Sequence, residues 1–183
     1  MINATQSNWH VITGSPRSGK TKIIERLSFL GYKTCPEILR IYIDNELSKG
    51  RSMQSITSNG QELEKNIFYE KLSAEKNFNR RDTIFFDRSI IDSIAFARLY
   101  KRDMPDLLRN SKLKFRYSKI FLLEPLNFYD KDYLTMESEE ESKELNEHLI
   151  KAYSELEYDI IRVPIMPIEK RVNFILNNVN NVI

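Results

Sequence analysis

Short apolar runs alternate along this chain with longer stretches in which apolar and polar residues are mixed. The apolar runs are rich in β-branched and aromatic side chains, which is typical of buried strands. They cover residues 9–13, 32–35, 82–87 (opening with a turn), 117–123 and 158–163. The stretches between them predict helices over residues 19–30, 36–48, 61–80, 88–101, 138–157 and 168–176, with a short helix or turn over 105–111.

Strands that alternate with helices predict βαβ units, and therefore an α/β protein with a parallel sheet. The 183 residues suffice for one sizeable core, and no linker or repeat divides them, so we predict a single domain over residues 1–183. A capping box of Ser138 with Glu141 is expected to open the helix at 138. The Asn-rich residues 177–183 are expected to fray.

Composition narrows the class of protein further. Hydrophobic residues make up 41% of the chain and charged residues 30%, with a net charge of +2, which is ordinary for a soluble protein and does not favour nucleic-acid binding. The only cysteine, Cys35, excludes an internal disulfide and is expected to be buried. No apolar run approaches the ~20 residues that span a bilayer, and residues 1–8 lack a signal-peptide pattern, so we expect a cytoplasmic protein.

The strongest motif follows the first predicted strand. Residues 14–21 have the spacing G-x-x-x-x-G-K-[ST] of a phosphate-binding P-loop. Gly14 and Gly19 permit a turn whose N–H groups point inward, and the helix that begins near Gly19 presents its positive end to an anion. Lys20 can reach the β- and γ-phosphates, and the Thr21 hydroxyl can ligate Mg²⁺. The predicted nucleotide-binding residues are Gly14, Ser15, Pro16, Arg17, Ser18, Gly19, Lys20 and Thr21.

An ordinary turn between a strand and a helix is the alternative interpretation of this motif. The preceding strand, the following helix and the position near the N-terminus favour the binding of a nucleoside triphosphate. Arg17 occupies a variable position of the loop, and we expect it to point to solvent rather than to contact phosphate.

Ligands of parallel sheets bind at the carboxyl ends of the strands, so the residues that follow each strand are the next candidates. These are Pro36-Glu37, Asp87-Arg88, Glu124-Pro125 and Pro164. At these positions the chain resembles the small P-loop NTPase family that includes the kinase domain of ribosylnicotinamide kinases and AAA-labelled ATPases. Besides the P-loop, the resemblance rests on Pro36-Glu37 with Arg40, Phe86-Asp87-Arg88-Ser89 with Asp92, Phe121 to Pro125, Val163-Pro164 with Pro167, and residues 169–176.

The Asp-Arg-Ser segment at 87–89 is also similar to deoxynucleoside kinases. The resemblance implies a three-layer P-loop NTPase fold whose five-stranded parallel sheet has the order 2-3-1-4-5, with the predicted strands numbered along the chain. It also implies a lid over residues 125–146 and a loop beside the nucleotide base that contains Pro164. No guanine-reading N-K-x-D motif is present, which favours ATP, with GTP as the alternative.

Asp87 is expected to hold Mg²⁺ through water beside Thr21 or to act as a general base; the alternative is an N-cap of the next helix. Arg88 is expected to contact the transferred phosphoryl group or the acceptor. The alternative is a surface arginine in a first helical turn, where its charge is unfavourable. Asp92 lies four residues further on and suits an ion pair with Arg88.

Glu37 lies on the acceptor side of such a fold, where the resembled nucleoside kinases place a carboxylate. We expect it to orient or deprotonate an acceptor hydroxyl, the alternative being compensation of the helix dipole. Arg40 either binds the acceptor or pairs with Glu37.

The lid lacks the arginines that usually clasp the phosphates in the resembled kinases. Where that family commonly shows D-x-x-R, this chain has Asp132-Tyr133-Leu134-Thr135, and no arginine occurs from Glu124 to Ile161. Because an arginine that stabilises transition-state charge is worth orders of magnitude in rate, three interpretations stay open. Lys131 substitutes for the missing lid arginine, or Arg88 alone suffices to stabilise the transition-state charge, or the chain is a weak kinase or a nucleotide binder.

The leading hypothesis is phosphoryl transfer from Mg²⁺-ATP to a small hydroxyl-bearing acceptor such as a nucleoside or nucleotide. The predicted catalytic residues are Lys20, Glu37, Asp87 and Arg88, the predicted acceptor-binding residues are Glu37, Arg40 and Arg88, and the predicted metal ligands are Thr21 and Asp87. The alternative is a nucleotide-dependent binding switch with slow hydrolysis.

Overall fold

The computed structural model describes residues 5–103, 114–126 and 137–180. Its strands are β1 (Thr5–Gln6), β2 (Trp9–Thr13), β3 (Lys33–Cys35), β4 (Ile84–Asp87), β5 (Phe115–Arg116), β6 (Lys119–Leu123) and β7 (Ile160–Val163). Its helices are α1 (Lys20–Phe29), α2 (Ile38–Ser48), α3 (Met53–Thr57), α4 (Gly60–Lys76), α5 (Asp92–Leu99), α6 (Glu139–Glu155) and α7 (Ile168–Asn180).

Five of the strands form one parallel sheet in the order β3-β4-β2-β6-β7. Numbered along the chain as predicted, this is the order 2-3-1-4-5, so the predicted topology is confirmed. The P-loop strand β2 is central, with β4 on one side and β6 on the other. The strands on the β4 side and on the β6 side therefore end on opposite flanks of the P-loop.

Side chains alternate between the two faces of this sheet and form two separate cores. Trp9, Val11 and Phe86 pack on one face against α4, α5 and α6. Ile12 and Phe85 pack on the other face against α1 and α7. Both faces of the strands are covered, which explains why the strands are continuous apolar runs. The three-layer architecture is confirmed.

Several element boundaries differ from the prediction. Helix α3 lies within a stretch that was expected to be a loop, and α4 ends at Lys76 rather than at 80. Helix α7 continues to Asn180, so the expected fraying is wrong for residues 177–180, and residues 181–183 lie outside the described residues. The capping box of Ser138 and Glu141 is confirmed. The predicted short helix or turn at 105–111 lies outside the described residues.

A short second sheet was not predicted. Strand β1 pairs in parallel with β5, with Thr5 opposite Phe115 and Gln6 opposite Arg116. The Arg116 guanidinium then donates to the carbonyls of Leu156 and Glu157, just after the end of α6, so Arg116 has a structural role.

Two further observations bear on function. Cys35 is buried, and burial raises the pKa of its thiol to about 12, which makes it a packing residue as expected. Among the described residues, no helix is both long enough and apolar enough to cross a membrane.

His10 is a buried polar residue whose ring nitrogens have no hydrogen-bond partner within the described part of the chain. Its ring lies 5.2 Å from that of Phe85, between centroids. Burial, and to a smaller extent the charge of Lys119, lowers the pKa of His10 to about 4. The folded protein therefore keeps His10 neutral at pH values where the unfolded chain protonates it.

This difference predicts a pH dependence of stability. Between about pH 6.5 and about pH 4 the unfolded state binds one proton more at His10, so His10 makes the free energy of unfolding fall as the pH is lowered. In His10→Leu, the loss of stability between about pH 7 and about pH 4.5 should be smaller than in the wild type by about 2 kcal/mol. Urea unfolding at the two pH values measures this difference. An unchanged pH dependence in the variant would contradict the assignment.

Candidate active site

The loop between β2 and α1 adopts a conformation that requires its glycines. Gly14 has φ 141° and Gly19 has φ 87°. A Cβ on Gly14 would lie 2.7 Å from the carbonyl oxygen of Leu123, a backbone atom at the end of β6 that cannot move aside. The P-loop therefore packs directly against the neighbouring strand, and only glycine fits at its first position.

The start of α1 is arranged to receive an anion. Gly19 occupies the N-cap position, where it makes no side-chain cap, and the first turn of α1 contains no acidic residue. Its N–H groups and the positive end of the helix dipole therefore face the loop without a competing carboxylate from the first turn.

Lys20 is buried within the loop, with 7% of its surface exposed. Its Nζ donates to the carbonyl oxygens of Ser15 at 2.9 Å and Gly14 at 3.2 Å. Burial and the charge of Arg88 lower the pKa of Lys20 to about 8, although nearby carboxylates, first Asp87, oppose the shift. Because carbonyl oxygens are its main partners, the Lys20 ammonium group could bind phosphate oxygens within the P-loop.

Asp87 ends β4 beside Thr21. The Thr21 hydroxyl lies 3.5 Å from Asp87 Oδ2, whereas the buried Oδ1 has no hydrogen-bond partner among the described residues. Burial, together with the charge of Glu37, raises the pKa of Asp87 to about 7. A cation at this point would satisfy the orphaned oxygen and stabilise the carboxylate.

This pair of oxygen ligands fits Mg²⁺. Mg²⁺ prefers oxygen ligands and commonly takes one or two from the protein, the others coming from water and phosphate. No cluster of three or more His, Cys, Asp and Glu residues that could hold a metal occurs in the described ranges. Thr21 and Asp87 are the residues that could hold the ion, and this assignment stays a prediction.

Arg88 is placed differently from its predicted position in a first helical turn. Its φ is 67°, its N–H donates to the carbonyl of Ile12 at 3.0 Å, and α5 begins only at Asp92. The alternative interpretations of Asp87 as the N-cap of α5 and of Arg88 as a surface residue are therefore wrong. The left-handed backbone turns the Arg88 side chain into the protein, where only 7% of the residue is exposed.

The Arg88 guanidinium joins several elements. Its Nε donates to Glu37 Oε1 at 3.0 Å, and its NH1 donates to the carbonyl of Gly14 at 3.1 Å. The guanidinium carbon also lies 5.0 Å from the centre of the Phe96 ring, in cation–π distance. Arg88 thus connects the acidic residue after β3 directly to the first residue of the P-loop.

Glu37 occupies the N-cap position of α2, but its side chain makes no capping hydrogen bond. Its side chain pairs with Arg88 instead. The alternative of helix-dipole compensation needs no such hydrogen bond, and both interpretations of Glu37 stay predictions. Burial alone would raise the pKa of Glu37, but the charges of Arg88 and Lys20 outweigh it and hold the pKa below its usual value. Glu37 is therefore a carboxylate at neutral pH.

Asp92 is fully buried and accepts hydrogen bonds from four side chains and one main-chain N–H. Its partners are Thr13 Oγ1 at 2.5 Å, Tyr153 O–H at 2.5 Å, Ser89 N at 2.9 Å, Ser89 Oγ at 3.2 Å and Arg88 NH1 at 3.4 Å. The predicted pair with Arg88 is confirmed. Burial acts to raise the pKa of Asp92, yet Arg88 and the buried Lys71 hold it below its usual value.

Comparison with known proteins identifies the family of the chain. A family model described as an AAA domain matches residues 9–171. The chain belongs to this AAA domain family. No curated protein sequence matches it.

The fold is shared with solved structures of kinases. Deoxyadenosine kinase from M. mycoides, with dCMP and dCDP bound, is 16% identical, with a TM-score of 0.67 over 96% of this chain and 100% of that one. NadR in complex with NAD and AMP-PNP is 18% identical, with a TM-score of 0.71 over 97% of this chain, which spans 51% of NadR. Thymidylate kinase from Ehrlichia chaffeensis is 12% identical, with a TM-score of 0.64 over 96% of this chain and 100% of that one. At these identities the likeness establishes the P-loop kinase fold.

Four predicted site residues of this AAA-family chain converge at the carboxyl edge of the sheet: Lys20, Glu37, Asp87 and Arg88. Arg40 lies in the first turn of α2, half-buried, and Pro164 follows β7 on the other flank of the P-loop. Arg17 is half-buried rather than directed wholly to solvent. The Asp-Tyr-Leu-Thr segment at 132–135 and Lys131 lie outside the described residues.

Sequence reasoning missed Arg171 and most of the role of Asp92 at this edge. The role of Asp92 extends far beyond its pair with Arg88, and Arg171 of α7 binds three loop carbonyls. A buried acid with several donors gives no signal in a single sequence beyond its place in the segment 86–92, and backbone carbonyl acceptors give none at all.

The network around Asp92 predicts a large effect of neutralising it. Asp92→Asn removes the charge that balances Arg88 and presents an amide to groups that are themselves donors, so the free energy of unfolding should fall by about 3 kcal/mol. Glu155→Gln is the matched control, because it removes the partly exposed partner of Arg98 and should cost no more than about 0.5 kcal/mol. Urea unfolding measures both, and similar costs for the two variants would contradict this account.

Proposed function

We propose that this chain is an ATP-dependent kinase that transfers a γ-phosphoryl group to the hydroxyl of a small acceptor such as a nucleoside or nucleotide. One observation carries the proposal. Arg88 connects a carboxylate on the acceptor flank, Glu37, to the P-loop residue Gly14. The P-loop, which would bind phosphate, and Glu37, which is suited to hold a hydroxyl, are thereby both bonded to the buried guanidinium of Arg88.

The phosphate half of the reaction is assigned to the P-loop. Its N–H groups and Lys20 would bind the triphosphate of ATP, with GTP as an alternative. Mg²⁺ held by Thr21 and Asp87 would supply charge neutralisation at the phosphates. Because phosphoryl transfer depends mainly on positioning and electrostatic stabilisation, these prearranged charges are the contribution that the reaction needs.

The acceptor half is assigned to Glu37, Arg40 and Arg88. The ionised Glu37 would accept a hydrogen bond from the attacking hydroxyl and fix its direction. Its depressed pKa makes it a weak base, which suits a loose transition state, where the nucleophile needs little deprotonation. Arg88 would stabilise charge on the transferred group, in a chain that has no arginine from Glu124 to Ile161.

The structural neighbours support the class of ligand. The M. mycoides enzyme is a deoxyadenosine kinase, the E. chaffeensis enzyme is a thymidylate kinase, and NadR was solved with AMP-PNP. We extend to this chain only a nucleotide donor and a nucleoside-like acceptor. We also propose that residues 1–183 act as a single domain in the cytoplasm, with residues 125–146 as the lid over the site.

The nucleotide assignment predicts the effect of removing the P-loop lysine. Lys20→Ala should weaken ATP binding by about a hundredfold or more, because a buried cation that contacts phosphate is lost. Lys22→Ala, an exposed lysine two residues further on, is the control and should bind ATP normally. Isothermal titration with Mg²⁺-ATP measures both affinities. An unchanged affinity in Lys20→Ala would refute the nucleotide site.

The acceptor assignment predicts a separation of binding from turnover. Glu37→Gln keeps an oxygen for Arg88 but loses the charge that holds the hydroxyl, so ATP affinity should be retained while kcat falls by about a hundredfold. Glu70→Gln, an exposed residue of α4, should leave both unchanged. If turnover survives in Glu37→Gln, Glu37 is only the structural partner of Arg88.

A nucleotide-dependent switch is the second candidate function. The observation that favours it is the absence of an arginine between Glu124 and Ile161, where kinases of this type clasp the phosphates. A switch would bind ATP through the same P-loop but hydrolyse it slowly, at a rate independent of any small acceptor.

A further inference from the structure

Arg171 is bound to the backbone of three separate loops. From α7, its NH1 donates to the carbonyl of Ser18 at 2.6 Å, its NH2 to that of Glu124 at 3.0 Å and its Nε to that of Pro164 at 3.0 Å. These carbonyls belong to the P-loop, to the residue after β6 and to the residue after β7. One planar guanidinium therefore fixes three loops at the carboxyl edge of the sheet relative to one another.

This arginine is buried and has no carboxylate at ion-pair distance among the described residues. Only 3% of its surface is exposed. Burial lowers the pKa of Arg171, and the charge of Glu124 opposes that shift only in part. The Glu124 carboxylate itself pairs with Arg162. Arginine stays protonated in proteins, so its positive charge lies directly behind the start of α1. A Cβ built on Gly19 would be 3.7 Å from NH1.

The same three loops also contact one another without Arg171. Glu124 N–H donates to the carbonyl of Val163 at 3.1 Å, and Leu126 N–H lies 3.4 Å from the carbonyl of Arg17. The Leu126 bond joins the segment 124–126 to the P-loop, and the Glu124 bond joins the same segment to the end of β7. Within the described residues, a hydrogen-bonded link from the P-loop straight to the loop after β7 is made by Arg171.

We infer that Arg171 is a positioning residue that couples the phosphate-binding loop to the loop after β7, so that a nucleotide is bound by both as a unit. The inference rests on the proposed function, because it assigns the two loops to two parts of the same nucleotide. The phosphates bind at the P-loop, and the loop that contains Pro164 lies on the flank away from Glu37, where the base and ribose would extend. Arg171 holds the two loops at a fixed separation, so that one nucleotide would contact both.

Removal of the guanidinium should therefore weaken the binding of a whole nucleotide more than the binding of inorganic triphosphate. In Arg171→Met, the three carbonyls lose their shared donor, and the loops relax independently. We expect the Kd of Mg²⁺-ATP to rise about tenfold to a hundredfold, while the Kd of inorganic triphosphate rises no more than about threefold. The KM for ATP should rise with it, with a smaller change in kcat.

Two further variants separate geometry from charge. Arg171→Lys keeps the positive charge but cannot reach all three carbonyls, so it should show the same selective loss of ATP binding as Arg171→Met. Arg162→Met is the matched control, because it removes a neighbouring exposed arginine that pairs with the side chain of Glu124. Its ratio of triphosphate Kd to ATP Kd should equal that of the wild type.

The results distinguish failure of this inference from failure of the proposed function. If the wild type does not bind ATP, both fail. If the wild type binds ATP but Arg171→Met loses affinity for ATP and for triphosphate equally, the coupling is refuted. Retention of both affinities in Arg171→Lys would then show that Arg171 contributes charge alone. A lower thermal stability with an unchanged ratio of the two Kd values also refutes it, because a merely structural role predicts that result.

Hydrogen exchange on the wild type tests the coupling even if the variants do not fold. Inorganic triphosphate is small enough to occupy the P-loop alone, yet coupling through Arg171 predicts that it slows amide exchange at Ile165, Met166 and Ile168. Protection confined to the P-loop and α1 would overturn the inference.

Discussion

The buried guanidinium of Arg88 is the interaction on which the proposed acceptor side of the site depends. It binds Glu37 after β3, Gly14 after β2 and Asp92 at the start of α5, while its own backbone continues from β4. Strands β3, β4 and β2 are neighbours in the sheet, so their carboxyl ends are already close. Arg88 fixes these strand ends relative to one another. Asp92 accepts a hydrogen bond from Arg88 and is itself held by the hydroxyls of Thr13 and Tyr153, which lie on two other elements.

A second buried arginine acts on the opposite flank. Arg88 joins the P-loop to the strand ends on the β4 side, and Arg171 joins it to the strand ends on the β6 side. Buried charges are costly, so such an arrangement persists only where each charge has well-placed partners. Arg88 has the carboxylates of Glu37 and Asp92 and the carbonyl of Gly14 as partners, whereas Arg171 has three loop carbonyls. The P-loop is thus held from both sides. Such preorganisation is what catalysis by electrostatic stabilisation requires.

The sequence predicted the parts of this fold that depend on local pattern. Continuous apolar runs gave the buried strands, and the P-loop spacing and the resemblance gave the site at their ends with the strand order. The start of α5 was wrong because Arg88 adopts a left-handed φ, which arginine rarely does and which no local pattern signals. Arg171 was missed because its partners are backbone carbonyls, which any residue supplies.

Acceptor-dependent consumption of ATP is the measurement that tests the central claim most directly. Purified protein with Mg²⁺-ATP is assayed with and without a pool of nucleosides and nucleoside monophosphates, and the products are resolved by mass. A kinase with this site should consume ATP faster with one class of acceptor and should yield an acceptor heavier by one phosphoryl group. Slow consumption that no acceptor accelerates, with ATP bound normally, would contradict phosphoryl transfer and would favour the nucleotide-dependent switch.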